Sequence, residues 1–165
     1  MAKNADERCA VASTQKLMTA LLVSEAGSLH DPVVIHSSDT LVEPTKLYLK
    51  TGHRYTRGQL LKAILVRSAN DASVALARDV AGSVPRFAQQ MTLRARSLGM
   101  ANSVFLNPHG LTQKGQYSTA RDIAKLARHA YRQPSIRGPL KTRSYDFVHN
   151  DGTISKLCLL YTSDA

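Results

Sequence analysis

The sequence is poor in cysteine, aromatic residues and acids, and it contains no tryptophan. Its two cysteines, Cys9 and Cys158, lack the spacing of a metal site. They could pair in an oxidising compartment, but two unpaired thiols are the favoured interpretation. Basic residues are scattered along the chain, with no run of five or six and no interleaved aromatics. This pattern disfavours a nucleic-acid partner.

Long apolar runs are also absent. No stretch reaches the roughly 18 apolar residues that a membrane-spanning helix needs. Residues 1–8 are charged and have no apolar core, so we expect no signal peptide. The sequence therefore predicts a chain without a membrane segment.

What the chain does contain is enough apolar sequence for one folded domain. It has 165 residues, of which 43% are hydrophobic, which is typical of a globular domain with its own core. Twenty-two lysines and arginines outnumber 12 acids, which gives a net charge of +10. Such a charge suits a nucleic acid, an anionic envelope polymer or an acidic membrane surface, and charge alone does not choose among them.

A serine and a lysine three residues apart open an apolar run with helical periodicity. Ser13 and Lys16 would share one face of a helix that starts near Ser13. A neutral lysine amine within hydrogen-bond reach can take the proton of a serine hydroxyl and make it a nucleophile. Free amides in the first helical turn would favour an oxyanion beside Ser13. The alternative is a serine that caps a helix and a solvated lysine.

A second polar element, Ser68-Ala69-Asn70-Asp71, follows the apolar run at residues 60–66. S-x-x-K followed by S-x-N is the order found in the penicillin-interacting serine enzymes. A hydroxyl at Ser68 could relay a proton, and the Asn70 amide could hold Lys16 and a substrate backbone. The alternative is that Ser68 or Asn70 only caps the next helix. We expect Asp71 to support the start of that helix, where negative charge is favourable.

With these motifs the sequence resembles the low-molecular-mass D-alanyl-D-alanine carboxypeptidases, which are penicillin-binding proteins. The resemblance covers roughly residues 4–134. It implies an α/β fold, a helix-rich part of the β-lactamase/DD-peptidase (transpeptidase-like) fold with some of the antiparallel sheet missing. Residues 1–165 would then be an incomplete catalytic domain. The matching segments are residues 12–20, 55–56, 60–61, 68–72, 98–100, 105–111 and 117–120.

The resemblance also implies a reaction. Ser13 would be the acyl-ester nucleophile and Lys16 the general base, while Ser68 would relay the proton and Asn70 would position Lys16 and the substrate. The substrate would be the D-Ala-D-Ala end of a peptidoglycan stem peptide, and β-lactams would be covalent inhibitors. No metal or organic cofactor is implied. Members of the family are exported to the periplasm or cell envelope and usually carry a cleaved signal and a C-terminal amphipathic anchor.

The family's third motif, K-T-G, is expected on a strand after Leu160. Lys50-Thr51-Gly52 spells it but precedes Ser68, so we interpret it as a coincidence. Residues 154–165 depart from the family pattern, which indicates a truncated or artefactual end. In the family the third-motif lysine lowers the pKa of the base. The sequence has no K-T-G after Ser68, so we expect this chain to be weakly active or inactive. His109 is excluded as a base, because the family uses none.

Periodicity and capping residues predict a helical body with strands at its margins. Three strands are expected, at Val33 to Ile35, at residues 143–148 and at residues 153–160. A turn at 150–152 would join the last two. The predicted helices are 13–25, one capped by Thr56 and Gln59, 70–81 ended by Gly82, one from Ser83 and Pro85 to Gly99, and one from Ser118 or Thr119 to just before Pro134.

Two alternative functions compete with a peptidase. A class A β-lactamase needs a glutamate between the second and third motifs for deacylation, but the glutamates are Glu7, Glu25 and Glu43, and none follows Ser68. A non-catalytic module could use its positive charge to hold an anionic cell-wall polymer. The intact set of Ser13, Lys16, Ser68 and Asn70 opposes that alternative, because a binding module does not need it.

Overall fold

A computed structural model of the chain describes residues 3–159. Helices dominate it, and the strands are short. A 3-10 turn at Ala12–Gln15 leads into the first helix. The elements in chain order are α1 (Lys16–Glu25), β1 (Pro32–Val34), β2 (Arg54–Thr56), α2 (Arg57–Arg67), α3 (Asn70–Ala81), α4 (Val84–Ser97), α5 (Ala120–Ala130), α6 (Pro134–Leu140), β3 (Ser144–Val148) and β4 (Ile154–Cys158).

Helix α1 runs through the centre of the molecule. It packs against every other helix, from α2 to α6. Met18, Ala20, Leu21 and Val23 are all inaccessible to solvent or nearly so. A helix that is apolar on most of its surface is stable only inside a protein, so the sequence of α1 dictates its central place. The core therefore holds the start of α1, where Lys16 lies.

Local capping signals set several helix boundaries as the sequence predicts. The Thr56 hydroxyl accepts from the amide of Gln59, and the Gln59 side chain accepts from the amide of Thr56. Helix α3 spans the predicted Asn70–Ala81 and ends at Gly82, whose φ of +76° suits glycine. Side chains of Ser83 and Thr119 cap α4 and α5. These helix boundaries confirm the ones predicted from the capping residues.

Two elements were not predicted. Arg54–Thr56 forms β2, which pairs antiparallel with Pro32–Val34. These three residues lead directly into a capped helix and form a strand only through a partner 20 to 24 residues away, which local sequence does not reveal. Pro134 was expected after α5 but begins α6, where its missing N–H costs nothing at a first helical position. The body is helical and the sheets are short, as predicted, and β1 and β2 contact α3 and α2.

A β3–β4 hairpin closes one side of the molecule against α2. It also joins the first sheet: Lys50 pairs with Asp151 at 2.6 Å, and the Arg54 amide donates to Asn150 Oδ1 at 3.0 Å. The rings of Tyr55 and Phe147 also contact each other, tilted by 39° with their centroids 5.1 Å apart. Residues 160–165, which make up the second half of the atypical end at 154–165, lie outside the described residues.

Two surface observations complete the fold. Cys9 and Cys158 are exposed free thiols. Among residues 3–159, no helix combines the length and the apolar character required to cross a bilayer.

Candidate active site

Ser13 and Lys16 meet at the start of α1. The turn that carries them begins at Ala12, whose φ of +47° is unusual for a residue with a side chain. Lys16 Nζ lies 3.0 Å from Ser13 Oγ. The serine is partly exposed, whereas the lysine is only 3% exposed. The structure therefore presents a reachable hydroxyl with a buried amine behind it, as the spacing of the two residues predicts.

Burial sets the chemistry of the Lys16 amine. Loss of hydration disfavours the charged form and lowers the pKa of Lys16 from 10.5 to about 8. Within residues 3–159 no carboxylate forms an ion pair with this amine to oppose that effect. About a tenth of the Lys16 amine is therefore neutral at pH 7, far more than for a solvated lysine, and the neutral form is the one that accepts a proton.

The loop at residues 107–110 holds the nucleophile helix through its backbone carbonyls. Gln15 Nε2 donates to the carbonyl of Asn107 at 2.6 Å, and Thr19 Oγ1 donates to that of Pro108 at 2.7 Å. Lys16 Nζ donates to the carbonyl of His109, also at 2.6 Å. Three side chains in and just before the first turn of α1 thus bind three consecutive carbonyls. This arrangement fixes the direction of the lysine amine.

The same loop approaches the backbone of the nucleophile closely. Gly110 has a φ of +94°, and a Cβ built on it would lie 2.0 Å from the carbonyl oxygen of Ala12 and 3.0 Å from the amide nitrogen of Ser13. Only glycine fits this position without displacing the backbone at Ala12 and Ser13. The Asn107 side chain accepts from the Gly110 amide at 2.8 Å and so helps to keep the turn in place.

Ser68 enters the cavity that contains Ser13 and Lys16. This cavity has a volume of about 330 Å³, and its remaining walls are mainly aliphatic. Ser68 is the C-cap residue that directly follows α2, with φ +61° and ψ +32°. A non-glycine residue in this left-handed region carries strain of about 1–3 kcal/mol, and such strain is concentrated at functional sites. Ser68 does not cap α3, whose N-cap is Ala69 with no side-chain bond.

Asn70 is buried beside this cavity, but its amide points to another partner. Asn70 Nδ2 donates to the carbonyl of Pro44, and its backbone N–H donates to that of Thr45 at 2.8 Å. The Lys16 amine donates to Ser13 and His109 and forms no hydrogen bond with Asn70 in the described part of the chain. The structure thus brings Ser13, Lys16 and Ser68 together, while the predicted contact of Asn70 with the lysine is not made. Asn70 does not cap α3 either.

Asp71 does more than support the start of α3. It lies in the first turn as expected, but it is completely buried and accepts from the amides of Leu47, Leu49 and Ala72. Burial raises the pKa of its carboxyl group. This residue therefore ties the loop at 45–49 to the S-x-N segment, a contact between sites 22 to 24 residues apart that local sequence does not reveal.

Lys50 and the His109 ring each bind a partner other than Ser13. The side chain of Lys50 is 66% exposed and pairs with Asp151, away from the Ser13 cavity. Burial and the nearby Lys16 lower the pKa of His109 to about 4, and its Nδ1 accepts from the Leu111 amide. The sequence analysis did not identify the contribution of the His109 carbonyl, which lies 93 residues from Lys16 along the chain.

Comparison with known proteins gives the family context. The profile of a family described as D-alanyl-D-alanine carboxypeptidase matches residues 1–158. A D-alanyl-D-alanine carboxypeptidase of Bacillus subtilis is 36% identical over 98% of this chain and 42% of its own length. One from Escherichia coli is 37% identical over 76% of this chain and 34% of its own length.

Solved structures give the same picture of the fold. The D-alanyl-D-alanine carboxypeptidase of Francisella tularensis superposes with a TM-score of 0.87 at 30% identity, over 93% of this chain and 38% of that protein. The described elements are therefore a helix-rich part of the DD-peptidase fold. The chain spans about two fifths of the length of the Bacillus relative, at 42%.

Proposed function

The chain belongs to the D-alanyl-D-alanine carboxypeptidase family, and on that premise we propose that it is a serine peptidase that removes the terminal D-alanine from peptidoglycan stem peptides. The observation that carries this proposal is the buried Lys16 amine 3.0 Å from Ser13 Oγ. Its place of action would be the cell envelope, where peptidoglycan lies, and β-lactams would acylate the same serine.

The geometry suits an acyl-enzyme mechanism. The neutral Lys16 amine takes the Ser13 proton through its lone pair while one of its N–H groups donates to the His109 carbonyl. Ser13 Oγ attacks the carbonyl carbon between the two D-alanines, and the C–N bond breaks. The proton passes from Lys16 through the Ser68 hydroxyl to the nitrogen of the leaving D-alanine. Water, activated by the same amine, then hydrolyses the ester and releases the shortened peptide.

We further propose that this reaction is slow in the 165-residue chain. Burial is the one influence that lowers the pKa of Lys16, and no neighbouring cation adds to it among the described residues. A second lysine beside the base would lower that pKa further by repulsion between like charges. At pH 7, an amine of pKa about 8 is neutral in only about a tenth of the molecules.

Acylation should therefore depend on pH in a defined direction. Because the reactive form is neutral, the rate of Ser13 acylation by a fluorescent penicillin should rise about tenfold per pH unit below about pH 8 and level off above it. Rates measured under single-turnover conditions between about pH 6 and pH 10 give the apparent pKa. A rate that stays constant across this range would show that Lys16 is not the base.

The two hydrolytic activities of this fold can be separated directly. We expect D-alanine release from a D-Ala-D-Ala peptide to exceed turnover of nitrocefin, which should acylate the protein and then remain bound. The reason is that no glutamate follows Ser68 to activate a deacylating water for a β-lactam. Amino-acid analysis and nitrocefin absorbance on one preparation provide the comparison. Sustained nitrocefin turnover without D-alanine release would instead identify a β-lactamase.

A further inference from the structure

A second hollow, distinct from the Ser13 cavity, carries positive charge. It has a volume of about 360 Å³ and lies between the loop at 46–48, the end of α2 and strand β4. Lys46, Arg67 and Lys156 line it, and no acidic residue does. A concave surface lined by charges of one sign concentrates ligands of the opposite sign.

The charges in this hollow are largely uncompensated. Lys46 pairs with Glu43, but neither Arg67 nor Lys156 forms an ion pair with any residue from 3 to 159. Asp146 stands opposite Lys156 in the hairpin register without pairing with it. The dipole of α2 favours a cation at its C-terminal end, which accounts for Arg67, but it does not account for two lysines facing the same space.

The charged hollow adjoins the Ser13 cavity. Arg67 lines the hollow, and the next residue, Ser68, lines the cavity. In β4 and just after it, Cys158 likewise lines the hollow and Leu159 lines the cavity. Adjacent residues are about 3.8 Å apart along a chain, so the two spaces are neighbours. The Ser13 cavity is at the small end of the range for ligand sites and suits two alanines. The preceding part of a peptide substrate would lie outside it.

We propose that this hollow is a subsite for a carboxylate on the acyl side of the substrate, that is, on the part of the peptide that stays bound to Ser13. Arg67 and Lys156 attract the carboxylate, and Lys46 adds to the positive potential from the wall. The inference rests on the proposed function, since it requires a substrate whose reacting carbonyl is at Ser13. It adds a preference for acidic stem peptides over their amidated forms.

Two penicillins that differ by one carboxylate test the subsite. Carbenicillin is benzylpenicillin with an added carboxylate on its side chain, and both carry the ring carboxylate. We expect the ratio of their acylation rates, carbenicillin over benzylpenicillin, to fall about fivefold in the double variant R67Q/K156Q, because two partly exposed cations are removed. Raising the salt concentration should lower the ratio in the unaltered protein towards that of the variant.

A matched variant controls for net charge. R86Q/R96Q removes two exposed arginines of α4, which lie outside both cavities, and should leave the ratio unchanged. A ratio that is the same in R67Q/K156Q and the unaltered protein overturns the subsite while the proposed function stands. If both drugs acylate R67Q/K156Q more slowly by the same factor, the subsite is also overturned, since the cations would then bind the ring carboxylate that both drugs share. Absence of acylation by either drug overturns the proposed function and the subsite with it.

Discussion

Replacement of Lys16 by methionine should slow acylation of Ser13 by benzylpenicillin by about 10²–10⁴-fold, the usual contribution of a general base. Methionine keeps the length of the side chain and its burial but has no amine to take the serine proton. Arginine should not rescue the rate, because a guanidinium remains protonated at any accessible pH. The rate of adduct formation, followed by intact-protein mass spectrometry, measures the effect.

Folding of the variant is not expected to be limiting. The Lys16 amine is desolvated in the folded chain without a carboxylate partner, so an apolar side chain at this position should change the melting temperature by less than about 5 °C. Lys50→Met provides the control, because Lys50 belongs to the out-of-place K-T-G and lies on the surface. We expect Lys50→Met to react at the normal rate. If Lys50→Met lost acylation and Lys16→Met kept it, the assignment of the base would be wrong.

Gly110→Ala is the second substitution with a large expected effect. The new methyl group would stand 2.0 Å from the Ala12 carbonyl oxygen, so the backbone next to Ser13 must move. Backbone strain and overpacking together should lower the free energy of unfolding by about 3 kcal/mol or more. Since a displacement of about 1 Å at a reacting group can cost about 10²-fold in rate, acylation should slow by a similar factor.

Gly115→Ala separates the steric contact with Ala12 from the strain of a left-handed backbone. Gly115 has a φ of +91°, close to that of Gly110, but its nearest neighbour is the flexible end of Leu106 at 3.6 Å. We expect a loss of about 1–2 kcal/mol in unfolding free energy from the left-handed backbone alone and a nearly normal acylation rate. Chemical denaturation and adduct formation measured on both variants give the comparison. Equal behaviour of the two variants would mean that the contact with Ala12 does not position Ser13.

Local signals in the sequence predicted much of the fold. The Thr56 and Gln59 capping box and Gly82 at the end of α3 are short-range chemistry and occur where they were expected. The spacing of Ser13 and Lys16 likewise places two side chains on one turn of helix. In each case the interacting groups are only a few residues apart, so the sequence contains the whole interaction.

The parts that were missed depend on contacts between distant segments. The carbonyl of His109 meets Lys16 across 93 residues, and Asp71 binds the loop at 47–49 across 22 to 24. Backbone carbonyls carry no signature of residue type, so the sequence could not indicate that His109 orients the base. Ser68 lines the Ser13 cavity, but its left-handed backbone follows from the junction of α2 and α3 rather than from its own preference.

The most direct test of the account is to map the site of a β-lactam adduct. After prolonged incubation with benzylpenicillin at about pH 8, where about half of the Lys16 amine is neutral, peptide mass spectrometry should place a single penicilloyl group on Ser13. The adduct should be missing in Ser13→Ala and strongly reduced in Lys16→Met. A stable adduct on another residue, or equal labelling of Ser13 with and without the lysine, would contradict the claim that a buried amine activates this serine.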